Sequence, residues 1–189
     1  MQSMKTWIKP LSIFAVLVLA VVAAQPMTAV SATGCNGTWW VEKNNLYLDQ
    51  PVPEFGFSTC EGDELEISDL REKPLLINFW ATWCKPCVRE LPNFVDTHET
   101  HGEDVTILGI SVDQDPEIVR SFLDYKPLPY LLAWDSAGIA KDLGIQTIPF
   151  TIAVDAEGKV AGVHRGYATD EDLAELMKYA KREKKFGAE

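Results

Sequence analysis

Two cysteines separated by two residues, Cys84-Lys85-Pro86-Cys87, are the part of this chain best suited to chemistry. Two thiols at that spacing can close and reopen a disulfide when the first sits at the start of a helix. A helix N-terminus presents unpaired N–H groups and a partial positive charge, and both favour a thiolate over a thiol. Lys85 adds a further cation beside it. An ordinary thiol, with a pKa of about 8.5, is about 3% ionised at pH 7, whereas one lowered to about 7 is half ionised. The thiolate is the attacking species, so this placement speeds exchange. Cys84 is therefore the expected nucleophile and Cys87 the resolving thiol. Pro86 presets φ in the first helical turn.

Other residues could join this chemistry. Glu90 lies one helical turn beyond Cys87, either as a solvated helix residue or as an acid beside the thiols. Burial there would raise its pKa toward the working range of a general base. If Cys84 pairs with Cys87, Cys35 and Cys60 remain for each other. In an oxidising compartment they would form a structural staple closing a loop of about 25 residues, worth about 3 kcal/mol. The alternatives are a second redox centre or a soft-metal site. His98 and His101 read as an exposed helix end rather than half of a metal site, and no metal is assigned.

The elements that must position these residues can be read from apolar patterning. Leu75, Leu76, Ile77, Phe79 and Trp80 form a buried strand leading into the cysteines. Val88, Leu91, Phe94 and Val95 then mark one face of a helix that contains Pro92, an expected kink. Residues 105–112 read as a strand buried on both faces. Residues 115–124 read as a helix with Ile118, Val119, Phe122 and Leu123 inward. Residues 128–134 are extended, residues 137–143 helical, and residues 150–154 and 159–164 form a hairpin around Asp155-Ala156-Glu157-Gly158. Thr169 caps a last helix whose Leu173, Leu176, Met177 and Ala180 recur at helical spacing. Upstream, residues 54–58 and 64–67 read as a β-hairpin, and residues 33–53 as an irregular extension containing Trp39-Trp40.

Residues 1–32 carry Lys5 and Lys9, then an apolar run over 11–24 and small residues at Val30-Ser31-Ala32. This reads as an export signal cleaved after Ala32, or retained as an anchor. The folded part, residues 54–189 with its extension, is then periplasmic or otherwise extracytoplasmic. Removing the segment moves the net charge from −11 to −13. So acidic a surface argues against nucleic acid as a partner and would suit a basic protein.

The segment Phe79-Trp80-Ala81-Thr82-Trp83-Cys84-Lys85-Pro86-Cys87, with the tail Val88-Arg89-Glu90-Leu91-Pro92, resembles the thioredoxin superfamily, specifically its TlpA/ResA/CcmG-like branch. The resemblance runs from about Pro51 to Lys184. It implies an α/β thioredoxin fold, a central mixed sheet flanked by helices, here with an N-terminal β-hairpin extension. It also implies a thiol:disulfide oxidoreductase that works through the redox-active Cys84–Cys87 disulfide and needs no cofactor. Thr147-Ile148-Pro149 matches the superfamily's cis-proline loop, in which Ile148 would offer its backbone to an extended substrate. Trp83, Lys85 and Pro86 would face that substrate, and Glu90 would shuttle protons. Partners implied by resemblance are protein disulfides, such as the Cys-x-x-Cys-His motif of apocytochrome c or a copper-site assembly protein, and a membrane thiol-reductant transporter. The rival readings are a disulfide-introducing oxidant and a Cu(I)- or haem-handling binding protein. A peroxidase is disfavoured, because Trp-Cys-x-x-Cys stands where a peroxidatic cysteine after a threonine would be expected.

Overall fold

The computed structural model describes residues 46–181 and the backbone of a strand at Thr38–Val41. The expected export segment, Cys35 and Arg182 lie outside the described residues. Among the described residues no helix is long and apolar enough to cross a membrane.

Among the described residues, eight strands and four helices follow one another. They are β1 (Thr38–Val41), β2 (Phe55–Ser58), β3 (Glu64–Glu66), β4 (Leu75–Trp80), α1 (Lys85–His101), β5 (Thr106–Ser111), α2 (Pro116–Tyr125), β6 (Leu131–Trp134), α3 (Ile139–Asp142), β7 (Phe150–Val154), β8 (Val160–Arg165) and α4 (Asp170–Ala180). A single 3-10 turn, Ile67–Leu70, links β3 to β4.

The main sheet has the order β6-β5-β4-β7-β8, with β4 at its centre. β5 and β6 run parallel to the strands they join, whereas β7 and β8 are antiparallel to theirs. This is the thioredoxin arrangement. A strand at the centre of a doubly covered sheet must be apolar on both faces, and all six residues of β4 are buried. Period-two alternation divides them. Leu76 and Trp80 join a core with Leu91 and Phe94 of α1 and with Leu173, Leu176 and Met177 of α4. Leu75, Ile77 and Phe79 join a second core with Phe55, Phe57, Ile67, Ile139 and Leu143. Asn78 shares its parity with Leu76 and Trp80, so it faces the helical layer. Phe79 is fully buried at the junction of several elements of the second core. Phe79→Ala should therefore cost about 4 kcal/mol in urea unfolding, and a loss below about 1 kcal/mol would contradict this account of the core.

Three expectations need correction. The extension is not wholly irregular: β1 pairs antiparallel with β2, so the expected hairpin is part of a three-stranded sheet. Backbone hydrogen bonds also tie residues 49–52 to residues 158–160, for instance Asp49 N–H to Val160 C=O at 2.9 Å. Second, each hairpin strand is one residue shorter than expected, β2 starting at Phe55 and β3 ending at Glu66, and all four residues of β2 are buried. Third, Ile118 of α2 is 50% exposed, and of the four residues expected to face inward only Val119 is fully buried. The last helix matches its expectation, with Thr169 accepting from Asp172 N–H in a capping box.

Candidate active site

β4 ends at Trp80, and the chain turns through Ala81–Trp83 before α1 begins. Cys84 is the N-cap of α1, and its Sγ accepts a hydrogen bond from Cys87 N–H at 3.3 Å. Cys84 and Cys87 are joined by a disulfide, their Cα atoms 5.2 Å apart. Cys87 is completely buried, while Cys84 keeps 5% of its surface in solvent. A substrate can therefore reach only the first sulfur, which assigns the attacking role to Cys84 on access as well as electrostatics. In the reduced state the same N–H group stabilises a Cys84 thiolate.

The turn before Cys84 is held from below by Asp113, a residue the sequence reading missed. Asp113 is nearly fully buried just beyond the end of β5. Its carboxylate accepts from Thr82 N–H at 2.9 Å, from the Thr82 hydroxyl at 2.7 Å and from the Ser111 hydroxyl at 2.7 Å. Its carbonyl accepts from the Trp134 indole N–H at 2.5 Å. The available signal was a lone acid directly after an apolar strand, with Thr82 two residues before the nucleophile. Asp113→Ala strands three donors, the buried Ser111 hydroxyl and the half-buried Thr82 N–H and hydroxyl, and should cost about 3 kcal/mol of stability. A thermal unfolding midpoint within 1 °C of the parent's would refute that role.

Glu90 is fully buried, so it is not a solvated helix residue. It belongs to the stripe Cys87, Glu90, Leu91, Phe94 and Thr97 on the inner face of α1. Asn78 Nδ2 donates to its Oε1 at 3.0 Å, and Ala168 N–H donates to its Oε2 at 2.8 Å. Asn78 also donates to Thr151 Oγ1 at 3.2 Å, its register partner on β7. Burial pushes the Glu90 carboxyl up from 4.5 to about 7, with the two hydrogen bonds pulling the other way. Burial, helped by the Glu90 charge, also holds the Tyr130 phenol well above its ordinary range.

Ile148–Pro149 is a cis peptide bond just before β7. Gly166 N–H donates to Pro149 C=O at 2.9 Å, anchoring the loop to the end of β8. Ile148 is half-buried against the core cluster that contains Cys84 and Cys87. Trp83, 66% exposed, and Ile148 line one groove of about 540 Å³. Lys85 is exposed and Pro86 half-buried in the first turn of α1. Trp83, Lys85 and Pro86 thus adjoin the disulfide along the chain, and Ile148 packs against the core cluster that contains it.

Cys60 is disulfide-bonded and half-buried, its N–H donating to Leu132 C=O at 2.9 Å. Its expected partner, Cys35, lies outside the described residues. His98 is not at an exposed helix end: it is half-buried with its ring edge-on to Tyr130, centroids 6.2 Å apart. Among the described residues no three His, Cys, Asp or Glu side chains gather as metal ligands.

Comparisons with known proteins agree with this geometry. A profile described as the AhpC/TSA family matches residues 48–163. The chain is 30% identical over 145 residues to a thiol-disulfide oxidoreductase ResA of Geobacillus thermodenitrificans, covering 76% of this chain and 83% of that protein. It is 29% identical over 153 residues to the thioredoxin-like protein YneN of Bacillus subtilis, covering 78% and 90% respectively. Among solved structures, a thioredoxin-family thiol:disulfide interchange protein of Chlorobium tepidum superposes with a TM-score of 0.63 at 26% identity, covering 72% of this chain and 99% of that one. A buried Cys87 behind an accessible Cys84 at a helix N-terminus is the arrangement dithiol exchange requires, and the chain belongs to the AhpC/TSA family as a thioredoxin-like thiol-disulfide oxidoreductase of the ResA type.

Proposed function

We propose that this oxidoreductase runs as a reductant of protein disulfides outside the cytoplasm. The observation that carries the direction is the buried Glu90 carboxyl one turn behind Cys87. A strong oxidant is one whose reduced form is stabilised, chiefly as a thiolate. A carboxyl that gains negative charge near pH 7 behind the pair makes a thiolate more costly, which favours the disulfide and lowers the potential.

In the forward reaction the Cys84 thiolate attacks one sulfur of the substrate disulfide. That S–S bond breaks, a Cys84–substrate bond forms, and the departing sulfur takes up a proton. Cys87 then loses its proton to the Glu90 carboxylate and attacks Cys84 Sγ. The Cys84–Cys87 bond forms and the second substrate sulfur leaves. Two electrons pass to the substrate, with no cofactor beyond the dithiol. Trp83, Lys85, Pro86, Ile148 and Pro149 hold the substrate segment at the disulfide. Cys60 pairs with Cys35 as a structural staple rather than a second redox centre.

The motif resemblance favours the Cys-x-x-Cys-His pair of an apocytochrome c as client, with a copper-site assembly protein as the other. A membrane thiol transporter then restores the dithiol, and residues 1–32 direct export. The test incubates the reduced protein with an oxidised Cys-x-x-Cys-His peptide and follows both partners by chromatography. Near-stoichiometric peptide reduction is expected. Oxidation of the dithiol peptide by the disulfide form, going to completion, would sink the reductant assignment.

A further inference from the structure

The chain carries 28 acidic residues against 17 lysines and arginines. Net charge alone therefore points to a basic partner. The surroundings of the disulfide have the opposite sign. Lys85 and Arg89 are exposed in the first two turns of α1, and the Arg89 guanidinium lies 4.8 Å above the ring of Tyr167. Lys126 reaches the same helical turn, its Nζ donating to Val88 C=O at 3.4 Å. Lys141 lines the groove that also contains Trp83 and Ile148. Arg165 sits over the ring of Phe150, the residue after the cis-proline, at 5.3 Å.

None of these five cations takes part in an ion pair among the described residues. Elsewhere, Arg120 of α2 and Lys181 just after α4 are paired with Glu117 and Asp104. Lys73, Lys159 and Lys178 are in no ion pair among the described residues either, so it is the gathering of five cations around the site that sets it apart. The acids closest to the site are already engaged. Glu90 and Asp113 are buried, and Asp135 in the groove accepts from Ile139 and Ala140 N–H groups. Unpaired cations at one mouth of an otherwise acidic protein attract anionic groups there and repel cationic ones.

We propose that the substrate segment is acidic: this rim selects polypeptides whose disulfide is flanked by aspartate or glutamate. The inference rests on the reductase reading and adds the charge class of its client. Lys141, which lines the groove together with Trp83 and Ile148, reads the flanking residues rather than the sulfur.

The test uses two synthetic peptides with the same internal disulfide, one flanked by glutamates and one by lysines. Each rate of reduction by the reduced protein is divided by its rate with dithiothreitol, which removes the peptide's own reactivity. At about 10 mM salt the acidic peptide should react about tenfold faster, a typical steering effect. At about 1 M salt, where the screening length is about 3 Å, the two should agree within about twofold. Lys141→Glu should lower the acidic-to-basic ratio about threefold, a change in preference that a uniform loss of activity through misfolding does not produce. Equal rates at low salt, or a faster basic peptide, would overturn the proposal while leaving the reductase reading intact. Failure to reduce either peptide would remove both.

Discussion

Cys84→Ser should abolish disulfide reduction, lowering the rate by more than about 10³-fold, as expected when a nucleophile is removed from a coupled set. Cys87→Ser should fail differently. The first attack would still occur, but the resolving sulfur is gone, so a mixed disulfide between Cys84 and the substrate should accumulate and be visible as a dithiothreitol-sensitive adduct by mass spectrometry. The asymmetry follows from access: Cys84 keeps 5% of its surface in solvent and Cys87 none. Adducts of equal abundance in the two variants would reverse the assignment. No adduct in either would argue against a covalent exchange mechanism. Because the disulfide is absent from both variants, the reduced wild-type protein is the proper control for stability.

Glu90→Gln should change both the rate and the pH dependence of stability. The group is raised from 4.5 to about 7 in the fold. Above pH 7 the wild-type carboxylate can take the Cys87 proton; below it, it cannot. The resolution step should rise with pH through about 7 in the wild type, whereas the variant should lose that inflection and fall by about 10² at pH 8. For stability the sign is fixed by proton counting. Between pH 4.5 and 7 the native state holds a proton on Glu90 that the unfolded chain releases, so wild-type stability declines as pH rises through this window. The penalty levels off above pH 7 at about 3 kcal/mol, from 1.36 kcal/mol per pH unit. The stability of Glu90→Gln relative to wild type should therefore improve from pH 5 to pH 8. Parallel curves would mean that Glu90 is not held neutral by burial.

Much of this was legible in the sequence because the signals are local. The run Leu75–Trp80 into Cys84-Lys85-Pro86-Cys87 needs only chain neighbours to be read as strand, turn and helix. The inner stripe of α1 follows from helical spacing, and it places Glu90 between Cys87 and Phe94. What was missed depends on partners distant in sequence. β1 is fixed by β2 beside it: Thr38–Val41 is made of strand-favouring residues, but four of them among glycines and polar residues do not show what they would pair with. Asp113 gains its role from Thr82, 31 residues away, and Glu90 its second donor from Ala168, 78 residues away. Ile118 fits an inward helical position by periodicity, yet α2 buries only Val119 completely. Periodicity locates a face but does not say how much of that face the neighbouring layer covers.

The reduction potential of the Cys84–Cys87 pair tests the central claim most directly. The protein would be equilibrated in graded glutathione buffers, quenched by alkylation and read by mass spectrometry. A potential below about −220 mV, in the range of reducing thioredoxin-fold proteins, is the predicted result. A value near −120 mV, that of the strong disulfide donors, would contradict it and make the protein an oxidant.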